Sequence, residues 1–133
     1  METGTIRRIS QEEAHAFLRE QRADKEGILI GGASRWFGLF DGDALIGCAA
    51  MLDYKRYSVI GRLFVIPDRR RQGLGTVLLK HVIDTVPNKP VQGHANQYSK
   101  GPNERLGFRY IKTYKNGVIL MERPPLDVLA GTA

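Results

Sequence analysis

The sequence predicts one α/β domain of the α+β kind, with a mixed, mostly antiparallel sheet of about seven strands flanked by three to four helices. Three observations predict it. The apolar period switches from helical to two at Ser34 and back to helical after Pro67. Two Gly-containing turns, Asp41-Gly42-Asp43 and Asn116-Gly117, each join a pair of alternating segments into a hairpin. The chain has 133 residues, 42% of them apolar, which suits a single core that needs no covalent staples.

Taken in order, Thr5–Ile9 reads as a first strand. Ser10 with Glu13 three residues on is a capping box, and Ala14, Phe17 and Leu18 follow at helical spacing, so a helix is expected over Gln11–Arg22. Ala23–Gly32 has no clear period and reads as a loop or a short second helix. Arg35–Phe40 and Ala44–Leu52 form the first hairpin, and Tyr57–Ile66 adds a third strand that Pro67 ends. Val77, Leu78, Val82 and Ile83 share one face of a helix expected over Thr76–Val86. Val91–Ala95 is a short strand, and Pro102–Leu106 a short helix with Gly107 as its C-cap glycine. The second hairpin runs from Arg109–Tyr114 to Val118–Arg123 and stops at Pro124-Pro125. The domain is expected over 1–125, with 126–133 as a C-terminal tail. The strand–helix–strand unit at 57–95 is its one parallel crossover.

Composition narrows the function. Cys48 is the sole cysteine, which excludes an internal disulfide and a metal site built on paired cysteines. No apolar run approaches the ~20 residues of a membrane span, and the N-terminus has no signal-type apolar stretch, so a cytoplasmic protein is expected. The net charge is +6, and Arg69, Arg70 and Arg71 account for half of it. Such a run suits nucleic acid or an anionic cofactor.

The setting of that run favours the cofactor. A strand feeds a glycine-bearing loop, and the loop feeds a helix, so the backbone N–H groups of Arg71–Thr76 converge at a helix N-terminus. Gly73 and Gly75 leave a phosphate free to approach the backbone. A dinucleotide fingerprint would need a third glycine where Leu78 stands, and a P-loop would need Gly-Lys-Ser/Thr where Gly75-Thr76-Val77 stands. The spacing that fits is R-x-x-G-x-G, Arg70 to Gly75.

The segment Leu63–Leu79, LFVIPDRRRQGLGTVLL, resembles the acetyl-CoA motif of the GNAT superfamily of N-acetyltransferases. Asn96 and Leu106-Gly107-Phe108 match a second motif of that family, and the element order matches its fold over nearly the whole chain. The resemblance implies acetyl-CoA as co-substrate, with no metal, and attack by a neutral amine on the thioester in a ternary complex. Arg70 would contact the CoA pyrophosphate, together with the backbone of Arg71, Gln72, Gly73, Leu74, Gly75 and Thr76. Phe64 and Val65 would pair with the pantetheine arm as an added strand, Asn96 would meet its end, and the thioester would sit where strands 57–66 and 91–95 splay. The Val65 N–H is the natural oxyanion donor.

The chain departs from the family at Asn103, where many members carry a proton-donating Tyr against the cofactor thiol. Tyr98 is near in sequence but not at that place. No Glu stands on Tyr57–Ile66 as base, so His94 is the first candidate, followed by Asp53 and Tyr54. His15 and His81 read as structural, Cys48 as a small core residue, and Lys100 and Arg105 as surface charge. Of Trp36 and Phe37, one reads as core and the other as a candidate lining of the acceptor pocket. The acceptor is expected to be a small-molecule or peptide amine, with no membrane partner. The sequence leaves its identity and the oligomeric state open, a homodimer included. Two competing readings are a non-catalytic acyl-CoA-binding sensor and, behind it, a basic nucleic-acid binder.

Overall fold

The computed structural model describes residues 4–28, 30–95, 100–126 and 128. The sheet has seven strands in the order β1-β2-β3-β4-β5-β7-β6. They are β1 (Thr5–Ile9), β2 (Arg35–Asp41), β3 (Ala44–Asp53), β4 (Ser58–Val65), β5 (Val91–Ala95), β6 (Arg109–Thr113) and β7 (Ile119–Arg123). Every neighbouring pair is antiparallel except β4–β5, the product of the crossover through α2 (Leu74–Ile83). This is the predicted architecture.

Helix α1 (Gln11–Glu20) is opened by the predicted capping box: the Glu13 N–H donates to Ser10 Oγ at 3.0 Å and the Ser10 N–H to Glu13 Oε1 at 3.4 Å. It ends two residues earlier than expected, because Gln21 is its C-cap and Arg22 turns left-handed at φ 53°. Ala23–Glu26 is then a 3-10 turn, stopped by Gly27 at φ 83°. Gln11 ties α1 to the sheet, with its Oε1 accepting from the Ala33 N–H at 3.0 Å and from Trp36 Nε1 at 3.3 Å.

Helix α2 starts at Leu74 and ends at Ile83, shifted toward the glycines relative to the expected 76–86. Helix α3 spans Lys100–Arg105, and the backbone turns out through Gly107 at φ 96°. The Asn116-Gly117 hairpin forms with only Gly117 in the left-handed region, at φ 89°, and its N–H bonded to the Tyr114 carbonyl at 2.9 Å.

One apolar cluster lies on each face of the sheet. Leu74, Leu78, Leu79, Val82 and Ile83 of α2 pack on Phe37, Met51, Ile60, Val91 and Met121. Phe17 and Leu18 of α1 pack on Trp36, Phe40, Cys48 and Phe64. Burying a leucine such as Leu18 or Leu78 contributes roughly 1.5–3 kcal/mol. Trp36 is 2% and Phe37 3% exposed, so both are core residues, one on each face, and neither lines an acceptor pocket. Cys48 is buried too, and burial pushes its thiol up to about 12, which makes it inert.

β4 controls the geometry of the site. Its register against β3 passes from Ala50↔Gly61 to Cys48↔Phe64, so two residues of β4, Arg62 and Leu63, face Ala49 alone. This is a β-bulge, and Arg62 sits in it at φ 55°, a left-handed conformation that arginine rarely adopts. On its other edge, β4 pairs with β5 only at Ser58↔Val91, Val59↔Gln92 and Ile60↔Gly93. Gly93 allows that last close approach, since a Cβ there would stand 3.0 Å from Ile60 Cγ2. Beyond Ile60, past the bulge, the edge of Leu63–Val65 toward β5 has no strand partner among the described residues.

Candidate active site

Two cavities meet along β4. The first, of about 360 Å³, is lined by Leu63, Phe64 and Val65, by Arg69, Arg70 and Arg71, by Gly73–Thr76, and by Glu26. The second, of about 530 Å³, lies in the gap between β4 and β5 and is lined by Glu26, Ile60–Leu63, His94, Asn103 and Phe108 among others. Glu26 and Leu63 belong to both.

The first cavity is built by the glycine loop. Gly73 is the N-cap of α2 at φ 78°, and no side chain caps that end. The first bond within the helix joins the Val77 N–H to the Gly73 carbonyl at 3.1 Å. The N–H groups of Leu74, Gly75 and Thr76 therefore have no partner inside the helix and present an anion-binding end. A Cβ on Gly75 would lie 3.9 Å from Val65 Cγ2 and 4.0 Å from Leu63 Cδ2, in ordinary contact with the protein but inside the groove. The residues present thus fit a pyrophosphate.

The three arginines divide. Arg69 is ion-paired with Asp41. Arg70 donates from Nε to the Val65 carbonyl at 2.7 Å and from Nη2 to Glu26 at 2.8 and 3.0 Å, and its guanidinium lies 5.1 Å from the Phe64 ring centre. The residue in register with the motif is thus held by the protein: it fastens the 3-10 turn of Glu26 to the end of β4. Arg71, left-handed at φ 65°, is exposed and has no ion-pair partner among the described residues. It is the arginine free to meet an anion. The run does not form a basic face of the kind nucleic acid requires.

Phe64, Val65, Arg70, Arg71, Gly73, Leu74, Gly75 and Thr76 are brought together around the first cavity; Phe64 and Leu74 bury their side chains in the core. Gln72 is exposed and does not line the cavity. His94 and Asn103 line the second cavity together. His94 is exposed there, its ring centre 6.0 Å from that of Tyr114. Asn96 and Tyr98 lie outside the described residues.

Asp53 is not a base candidate. Arg35 grips its carboxylate with Nε at 2.8 Å and Nη2 at 3.0 Å, and Ser58 Oγ donates to it at 2.8 Å. Burial raises its pKa, but the Arg35 and Ser58 hydrogen bonds outweigh that, and the carboxyl is held below its ordinary range. It sits at the far end of β3 from the gap. Tyr54 stacks on Tyr57 there, with ring centres 5.1 Å apart, and lines neither cavity.

Two charged lining residues escaped the sequence reading. Glu26 comes from the segment without a period, and nothing local marks it. Arg62 had a signal: a charge inside the apolar strand Ser58–Val65.

The mixed sheet, its single parallel pair parting beyond Ile60, and the glycine-capped α2 together make a groove along β4 that ends on an anion-binding helix terminus. Residues 4–108 match the model of the acetyltransferase (GNAT) family, and the chain belongs to that family. The fold is shared with Escherichia coli ElaA, at 24% identity and TM-score 0.70, over 90% of this chain and 99% of that one. It is shared with the ribosomal-protein-S18-alanine N-acetyltransferase of Escherichia coli, at 22% identity and TM-score 0.70, over 90% and 92% of the two chains. A GNAT family acetyltransferase from Elizabethkingia anophelis, solved with acetyl-CoA bound, has TM-score 0.64 at 19% identity over 90% and 97%. These likenesses concern the fold alone. No curated protein matches the sequence. Among the described residues, no helix is long and apolar enough to cross a membrane, and no three His, Cys, Asp or Glu side chains group as metal ligands.

Proposed function

We propose that this protein transfers the acetyl group of acetyl-CoA to a primary amine. The observation that carries this reading is the uncapped N-terminus of α2, with Gly73 left-handed and Gly75 bare, opening onto an edge of β4 that has no strand partner among the described residues. In the proposed complex the N–H groups of Leu74, Gly75 and Thr76 hold the pyrophosphate, and Arg71 adds a full charge. Phe64 and Val65 offer main-chain groups to the pantetheine arm; the Val65 carbonyl keeps one lone pair after accepting from Arg70. Acetyl-CoA supplies a thioester carbon open to attack and a thiolate leaving group. His94, exposed in the gap, takes the proton of the incoming ammonium directly or through water, and the Val65 N–H faces the developing oxyanion. Asn103 lines the gap where a proton donor is common in the family, and its amide cannot donate a proton to a thiolate, so that proton comes from solvent. The relatives include enzymes named for acetylating a ribosomal protein and spermidine, which supports an amine as acceptor.

Asn103 also favours a second reading, an acyl-CoA sensor without turnover. Calorimetry decides the first step: acetyl-CoA is expected to bind in the micromolar range and to raise Tm. Gly75→Ala is expected to weaken that binding at least ~10-fold while leaving the helix unchanged or up to ~1 kcal/mol more stable. Absence of binding by the native chain would sink both readings. Thiol release across a panel of amines separates them, since the sensor releases none.

A further inference from the structure

We propose that Arg62 binds a carboxylate on the acceptor, which makes the substrate class a small amine carrying its own carboxylate. This rests on the acetyl-transfer reading and specifies the acceptor end of the same site.

Arg62 lines the gap cavity and not the pyrophosphate cavity. It is held in the bulge at φ 55°, and its Nε is buried with no hydrogen-bond partner. Among the described residues no carboxylate lies within ion-pair distance of it. The other half-buried or buried arginines, Arg35, Arg69 and Arg123, each have an aspartate or glutamate partner, and the other arginines without one, such as Arg71, are exposed. A partly desolvated guanidinium without a counter-charge is costly, and so is a left-handed arginine. Both costs fall on one residue, in the one gap where an acceptor can reach the thioester.

A carboxylate resolves the imbalance. Its two oxygens match the guanidinium fork, and the pairing is strong where water is scarce. The cofactor does not supply this anion, because its phosphates belong at the α2 N-terminus, at the other end of Leu63–Val65. A purely cationic acceptor, such as a polyamine, would meet Arg62 as a like charge. The amine end of an amino acid would instead face Glu26 and His94 of the same cavity.

The test follows the Arg62 Nε–H signal by ¹⁵N NMR of the full chain, with and without CoA. The probes are amino acids, their carboxamides, a polyamine and phosphoethanolamine. At least one amino acid is expected to shift the signal saturably, and its carboxamide is expected to leave the signal unmoved. Arg62→Met and Arg62→Gly should weaken that amino acid's binding at least ~10-fold, and Arg62→Lys less. Acetyl-CoA affinity should stay within ~2-fold in all three. The glycine variant suits the left-handed backbone, so it remains decisive if the methionine variant fails to fold. The proposal is overturned if no carboxylate moves the signal, if carboxamides, polyamines or the phosphate compound bind as well, or if the variants lose acetyl-CoA affinity instead. The titration without CoA is read even if acetyl-CoA calorimetry fails, so the two proposals fail separately.

Discussion

Arg62, half-buried, and Arg123, fully buried, both have a buried Nε without a hydrogen-bond partner among the described residues, at two ends of the molecule that treat a desolvated cation in opposite ways. Arg123, on β7, is 1% exposed, and both of its Nη atoms are engaged. Its Nη1 meets Asp84 Oδ1 at 3.1 Å, and its Nη2 donates to the carbonyls of Ile83 at 3.1 Å and Val86 at 2.8 Å. It closes the C-terminal end of α2, where carbonyls lack helical partners and a positive charge is favoured. Arg62 has an irregular backbone, no carboxylate partner among the described residues and a cavity beside it. One arginine is consumed by the scaffold, and the other is left over by it. Burial of an arginine therefore says little until its partners are counted.

The largest effect that would sharpen this contrast is expected at Arg123. Arg123→Met keeps the stem but strips the Val86 carbonyl of its donor, leaves the Ile83 carbonyl only the Val86 N–H and removes an ion pair from Asp84, and should cost about 2–4 kcal/mol in urea unfolding. Acetyl-CoA affinity of the folded fraction should be unchanged; a loss under ~1 kcal/mol would break the contrast. Arg62→Gly should do the reverse. Relief of the left-handed strain and of an unmet donor outweighs the extra chain entropy of glycine, so the variant is expected to be as stable as the native protein or up to ~1 kcal/mol more so. A clear destabilisation would show that Arg62 is scaffold after all. The smallest effect concerns Asp53. Its folded pKa is depressed, so its contribution is fully present above the unfolded value near ~3.9 and is lost as pH falls through the lower folded value. The stability of Asp53→Asn should accordingly fall less steeply than that of the native protein below pH ~4, and parallel curves would show that the Arg35 pair is energetically silent.

How much was legible follows from the range of each interaction. The capping box at Ser10, the hairpin at Asn116-Gly117 and the glycine loop could be read because each depends on residues within a few positions of one another. Helix ends slipped by two or three residues, since Gln21 and Gly73 cap through backbone geometry that composition does not reveal. The Glu26–Arg70 pair joins residues 44 apart across a segment without periodicity, and no local pattern announces it. Asp53 looked like a spare carboxylate until Arg35, 18 residues away, closed on it.

The sequence alone thus determined the order of elements, the single parallel crossover and the glycine loop before α2, because periodicity, turn chemistry and a left-handed glycine are short-range properties. Only the tertiary structure decided which charges are free. Arg69 and Arg70 are taken by carboxylates from other parts of the chain, Arg71 faces outward, and the bulge of β4 leaves Arg62 unpaired among the described residues beside the gap. Whether a charge is free depends on what the fold brings within a few ångströms of it, and separation along the chain does not report that distance.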